Sequence, residues 1–188
     1  MIREAKAGDA KAVAHLIVQA MGELAYKFNN SKNHDATLKL FEHFFKEPDN
    51  QYSFENTLVY INESEEVLGS INAYDGANLM ELRTNFLSYL SIHNGLKNFN
   101  PEPETEAGEF YLDTISVNPV AQGKGIGKEL IDAGIKLATE LGHTQVALLV
   151  DIINDKALKI YKNKGFQVKG IKEFIGGNYY HMVYQIIT

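Results

Sequence analysis

The chain has 188 residues, enough for one sizeable core and too few for two ordinary domains. Hydrophobic residues make up 45% and charged residues 22%, which excludes a disordered or collagen-like chain. Cysteine is absent, so disulfides, zinc-thiolate sites and cysteine nucleophiles are excluded, and the formal net charge of -6 argues against non-specific nucleic-acid binding.

In chain order, Ile2 opens a short predicted strand. Asp9 precedes an apolar run from Ala10 through Val13, Leu16, Ile17, Ala20, Met21 and Leu24 at helical spacing, with Asp9 as the expected cap. A second helix is predicted over 35–46, with Leu38, Phe41 and Phe45 on one stripe and Pro48 beyond its end. Aromatic residues at that spacing read as core. Residues 57–61 and 67–74 read as a β-hairpin around a polar loop.

The stretch 75–106 is too long for an ordinary connection. Leu79, Leu82, Phe86, Leu87 and Leu90 predict a helix inside it, followed by an acidic, proline-containing return. The alternatives for it are a cover over a substrate groove, a packing surface for a partner subunit, or a decorative insertion. Residues 110–117 form a strong strand candidate stopped by Pro119. Residues 125–141 give an amphipathic helix, 146–150 a buried strand and 155–164 a short helix, before extended segments at 166–170, 172–175 and 179–187. The whole is read as one domain, 1–188, of mixed α and β structure.

The segment Gln122-Gly123-Lys124-Gly125-Ile126-Gly127 lies between a predicted strand and a predicted helix. Glycines there permit a tight turn and close ligand approach. The helix N-terminus offers unpaired amides to a phosphate, with Lys124 and Lys128 adding charge. The spacing is not Gly-x-Gly-x-x-Gly, and Lys128 is followed by Glu129, so neither a dinucleotide fingerprint nor a nucleoside triphosphatase loop fits.

Two signatures together resemble the GNAT superfamily of acyl-CoA-dependent N-acyltransferases. The first is Val117-Asn118-Pro119 followed by Gln122 through Gly127. The second is Asn154-x-x-Ala157-x-x-x-Tyr161-x-x-x-Gly165-Phe166. The resemblance implies a mixed, mostly antiparallel twisted sheet flanked by helices, with splayed central strands. It implies acetyl-CoA as cosubstrate and an amine-bearing small molecule or peptide as acceptor. By position, the Gln122–Gly127 turn would grip pyrophosphate, and the strand carrying Ile115, Ser116 and Val117 would contact pantetheine through its backbone. It makes Tyr161 the expected acid for the leaving thiolate.

Asn154 is read as a ligand contact, a helix cap, or both. For the amine's proton, Asp113 and Glu109 are the candidates, with Glu81 weaker. Strand alternation places Glu109, Tyr111 and Asp113 on one face, provided no bulge intervenes. His181, Tyr179 and Tyr180 are possible groove residues or ordinary strand packing. The six histidines form no ligand array, Ser116 lacks a nucleophile elbow, and the chemistry calls for no metal. The absence of a signal run or an apolar span of about 20 residues predicts a cytoplasmic protein without a membrane partner. A non-catalytic acyl-CoA sensor is the rival reading. The sequence fits a monomer or a homodimer.

Overall fold

Gly22 divides the first apolar run into two helices. Its positive φ of 55° ends α1 (Ala10–Met21) and turns the chain into α2 (Glu23–Asn29). The computed structural model describes residues 1–187. The remaining elements are β1 (Ile2–Glu4), α3 (His34–Lys46), β2 (Thr57–Ile61), β3 (Val67–Asp75), α4 (Leu79–His93), β4 (Phe110–Val117), α5 (Ile126–Glu140), β5 (Gln145–Asp151), α6 (Asp155–Lys164), β6 (Gln167–Phe174) and β7 (Gly177–Gln185). Asp9 stands at the cap position of α1 but makes no capping bond into that helix. Its carboxylate instead pairs with Arg3 at 2.8 Å and accepts from the Lys6 amide.

The sheet runs β1-β2-β3-β4-β5-β7-β6. Its neighbours are antiparallel except β4 and β5. Thus the mixed, mostly antiparallel architecture expected from the sequence is present. The two extended segments expected near 166–175 are one strand, β6, with an irregularity between Val168 and Gly170.

The central pair is the exception to continuous pairing. β4 and β5 meet only at Phe110–Val146 and Tyr111–Ala147. Beyond that, β4 stays on β3 as far as Val117, and β5 stays on β7 as far as Asp151. The strands therefore splay. A bulge accompanies the separation: Asn72 faces Thr114 while Ala73 faces Leu112, leaving Asp113 as the extra residue. Bulges bend a strand and increase its twist, which turns the second half of β4 away from β5.

Each face of the sheet carries an apolar layer. On one, Leu130, Ile131 and Ala138 of α5 pack with Ile71, Leu112, Val146 and Leu148. On the other, Phe28, Phe41, Phe44, Tyr52 and Phe86 form a cluster of edge-on aromatic contacts, including Phe44–Phe86 at 4.8 Å and Tyr52–Phe86 at 4.9 Å. The aromatic stripe of α3 is therefore core, as its spacing implies. α4 buries Leu79, Arg83, Phe86 and Leu90, which places a charged residue within its apolar stripe.

Close approach of α5 to the sheet depends on Gly134. A Cβ there would lie 2.9 Å from Leu112 Cδ2 and 3.0 Å from Ile71 Cδ1. Gly134→Val should destabilise the protein by roughly 1–3 kcal/mol, the usual cost of overpacking a core. Denaturant unfolding of the two proteins measures it; unchanged stability would show that the α5–sheet seam is looser than these distances imply.

Candidate functional site

The separation of β4 from β5 opens a groove of ≈ 940 Å³. It begins at the N-terminus of α5, passes between Ile115–Val117 and Leu149–Asp151, and reaches the carboxylates of Asp113 and Glu104. The Asn118 amide bonds the Leu68 carbonyl, so Asn118 faces β3 at 2.8 Å. Backbone groups alternate sides along a strand, so the N–H and C=O groups of Ile115 and Val117 face the gap instead. Gln19 of α1 and Gln122 both donate to the Val117 carbonyl, at 3.0 and 3.1 Å, and Gln19 also donates to Ser116 Oγ at 2.8 Å.

The turn into α5 is built on left-handed backbone. Gly123 has φ 79° and Gly125 has φ 87°. A Cβ at either position would meet nothing within 4 Å, so glycine is needed for conformation, not for room within the protein. Gly125 caps α5, and the amides of Ile126 and Gly127, first in the helix, have no intrahelical acceptor. Gln122, Gly123, Gly125, Ile126, Gly127 and Lys128 all border the groove. Lys124 is exposed and does not. Lys156 of α6 does, a cation that sequence reasoning missed.

α6 brings Asn154 and Tyr161 to the opposite wall. Asn154 Oδ1 accepts from the Ala157 amide at 3.1 Å and caps α6, as the cap alternative required. Tyr161 packs edge-on against Phe166 with centroids 5.9 Å apart. Burial pushes its phenol up to about 12. The hydroxyl therefore stays protonated through any ordinary assay pH.

The expected shared face of Glu109, Tyr111 and Asp113 is only partly realised. Tyr111 and Asp113 border the groove; Glu109 does not. Glu109 Oε1 lies 2.8 Å from His181 Nε2, and Glu109 Oε2 accepts from Thr105 Oγ1 at 2.8 Å. The His181 approach is short but poorly directed as a hydrogen bond, a close polar contact between the two side chains. Burial works to raise the Glu109 pKa, yet contact with His181 and Thr105 outweighs it and leaves the carboxyl below its ordinary value. His181 and Tyr180 likewise stay off the groove lining, whereas Tyr179 lies on it. Glu81 is exposed on α4, away from the groove.

Asp113 is anchored by neutral donors, Tyr74 Oη at 2.9 Å and Gln51 Nε2 at 3.3 Å. Beside it is a residue that sequence reasoning did not single out. Glu104, 4% exposed, enters the groove from the proline-containing return and pairs with the buried Arg83 of α4. Arg83 also donates to the carbonyls of Pro101 and Glu102, each at 3.1 Å, and lies over the Phe174 ring. The signal was present in the pattern. Arg83 occupies a core position between Leu79 and Phe86, and a charge there needs a buried partner.

Residues 18–166 match the profile of the acetyltransferase (GNAT) family. This chain belongs to that family. A crystal structure of an acetyltransferase superposes with a TM-score of 0.81 at 28% identity, covering 100% of both chains. An N-acetyltransferase from Staphylococcus aureus Mu50 superposes with a TM-score of 0.84 at 25% identity, covering 98% of this chain and 100% of that one. In sequence, the chain is 39% identical over 61 residues to a mycothiol acetyltransferase of Propionibacterium freudenreichii, covering 32% of this chain and 19% of the relative. It is 29% identical over 91 residues to N-acetyltransferase family 8 member 2 of Rattus norvegicus, covering 45% and 40%. The chain thus spans well under half the length of these two relatives.

For a GNAT protein of this kind, the groove offers amides at one end and carboxylates at the other. Among the described residues no group of three or more metal-ligating side chains of the His, Cys, Asp and Glu types comes together. No described helix is long and apolar enough to cross a membrane.

The acidic end has a consequence for stability. Burial and then repulsion by Asp113 raise Glu104 to about 8, against the pull of Arg83. Burial also raises Asp113, and the bonds from Tyr74 and Gln51 do not cancel it. Both groups bind protons more tightly folded than unfolded. Their contribution is fully present below the ordinary carboxylate range and is lost as pH rises through the folded values. The melting temperature should therefore decline as pH rises from ~5 toward ~8. Glu104→Gln should flatten this slope; an equally steep slope in thermal melts of that variant would assign the effect to other groups.

Proposed function

We propose that this chain is an N-acetyltransferase that moves an acetyl group from acetyl-CoA to a primary amine by direct attack on the thioester. The observation that carries this reading is the gap between β4 and β5. It leaves the backbone of Ile115 and Val117 facing a groove that joins the N-terminus of α5 to Tyr161 and the buried carboxylates. The amides of Gly123, Gly125, Ile126 and Gly127 suit a pyrophosphate, since they meet it at the positive end of a helix dipole. Lys128 adds charge there. The exposed strand edge suits the amide-bearing pantetheine arm.

In this reaction the amine nitrogen bonds to the thioester carbonyl carbon, the carbon–sulfur bond breaks, and its electron pair leaves on sulfur. A groove-facing amide of β4 near Val117 is the donor that suits the charge developing on the carbonyl oxygen. The Tyr161 hydroxyl supplies the proton to the thiolate. Its elevated pKa keeps the proton available, although it makes the phenol a weaker acid than an exposed one. The proton lost by the amine leaves through groove water, and Asp113, which borders the groove, is the carboxylate that meets the acceptor. Glu109 is committed to His181 and Thr105. An N-terminal amine of a peptide and a small-molecule amine are both primary amines that meet this chemistry.

Calorimetric titration with acetyl-CoA, followed by turnover against amino acids, polyamines, aminoglycosides and peptides, tests the reading. Saturable binding with transfer supports it. Binding without transfer across the panel supports a sensor, and no binding by the folded protein removes both. Gly125→Val should weaken acetyl-CoA binding by roughly tenfold or more, because a β-branched residue strains the left-handed turn. Undiminished affinity would detach the glycine turn from ligand binding.

Tyr161→Phe keeps the ring against Phe166 and removes only the hydroxyl. It should lower kcat roughly 10–1000-fold while changing acetyl-CoA affinity much less. Steady-state rates and calorimetry on the same preparation separate the outcomes. A wild-type kcat would end the acid role, and equal losses of turnover and binding would make Tyr161 a positioning residue.

A further inference from the structure

With both carboxylates ionised, the acidic end of the groove would hold more negative charge than its neighbours neutralise. Glu104 takes Arg83 as its direct counterion. Asp113 receives only the neutral donors Tyr74 and Gln51. Tyr52, Tyr74 and Tyr111 surround the pair as uncharged phenols, each raised well above its ordinary pKa by burial first and by the two carboxylates next. Lys172 of β6 lies nearby, but its Nζ is on the Glu104 backbone carbonyl at 3.4 Å and stands off the groove lining. Its charge acts on Glu109, as does contact with His181. One carboxylate at the groove therefore lacks a cation of its own.

A separate feature also points to a missing partner. Thr114, next to Asp113 on β4, is 5% exposed and borders the same groove, yet its Oγ1 has no hydrogen-bond partner. Buried polar groups are ordinarily bonded, so this one calls for an occupant. A hydroxyl oxygen and two carboxylates are all acceptors, and the occupant that suits them is a donor with positive charge.

We propose that this end of the groove is the acceptor subsite and selects an aliphatic amine that carries a second ammonium group, held by Glu104 and Asp113 with Thr114 as a further acceptor. The inference rests on the N-acetyltransferase reading for its reacting amine, but the binding preference is independent of turnover. Ile115, whose backbone faces the gap, lies two residues beyond Asp113, roughly 7 Å along the strand. A four-carbon chain spans that distance, so one nitrogen reaches the strand edge while the other stays with the carboxylates. Arg83 acts as a positioning residue that fixes Glu104 through the return 101–104. Without a further cation the pair relieves its repulsion by keeping a proton, in keeping with the elevated Glu104 and Asp113 values. An ammonium group replaces that proton.

The test compares 1,4-diaminobutane with 4-amino-1-butanol, which have one amine in common and differ in the charge at the other end. Calorimetry on the full chain should show the diamine binding at least roughly tenfold tighter, about 1.4 kcal/mol. Acetyl-CoA turnover should show the same preference in KM. Glu104→Gln leaves Arg83 to neutralise Asp113 and should bring the two affinities within about twofold. Asp113→Asn should do the same. Adding Arg83→Met to Glu104→Gln restores one uncompensated carboxylate and should restore the preference, a recovery that a folding defect would not produce. Circular dichroism checks that each variant is folded.

Equal affinities in the wild type, no binding of either probe, or a preference that survives both single substitutions overturns the inference. Acetylation of both amines with equal KM overturns it while leaving N-acetyltransfer intact. Diamine-selective binding without any transfer upholds the subsite and removes the transferase reading.

Discussion

Two residue pairs, Phe110–Val146 and Tyr111–Ala147, join the halves of this sheet, and the rest of the molecule is arranged around what happens where that pairing stops. β4 cannot follow β3 and β5 at once after the bulge at Asp113 adds twist. The released strand edge would ordinarily be covered or paired, because exposed backbone donors and acceptors invite another strand. Here helices flank it on both faces: α1 sends Gln19 to the Val117 carbonyl, and α5 and α6 form walls. The edge backbone of Ile115 and Val117 is thereby left without a partner strand while walled by helices.

The second constraint is electrostatic. A buried arginine is tolerated on α4 because Glu104 and two backbone carbonyls meet its donors. That arrangement brings Glu104 of the proline-containing return to the groove and seats Phe174 beneath the guanidinium. The β6–β7 hairpin is drawn in too: the Ile175 amide donates to Glu102 at 3.0 Å, and Lys27 donates to the Ile175 carbonyl at 2.9 Å. Segments far apart in sequence are thus tied to one side of the groove, while the glycine turn is held by local geometry on the other.

The regular half of the chain was legible because its signals are local. The Gly123 and Gly125 turn, the amphipathic stripe of α5, the run of β5 and the Asn154 cap each involve residues within a few positions of one another. These elements followed from spacing, and the family from the resemblance that the two signatures carry. The acidic end was not legible in the same way. Glu109 and Asp113 look alike in the sequence, one carboxylate just before the strand and one within it, yet the first meets His181 and the second faces the groove. Glu104 looked like part of a solvated acidic return, and only the position of Arg83 within an apolar stripe hinted otherwise.

The sequence alone determined most of the elements, the glycine turn and membership in a recognisable pattern, because backbone propensity and hydrophobic periodicity act over short separations. The tertiary structure decided where β4 leaves β5, which carboxylate meets the groove, and which buried charges have partners. Those outcomes depend on strand register and on contacts between residues tens of positions apart. One extra residue in a ladder changes them all, since the side-chain period of a strand is two and a bulge resets it.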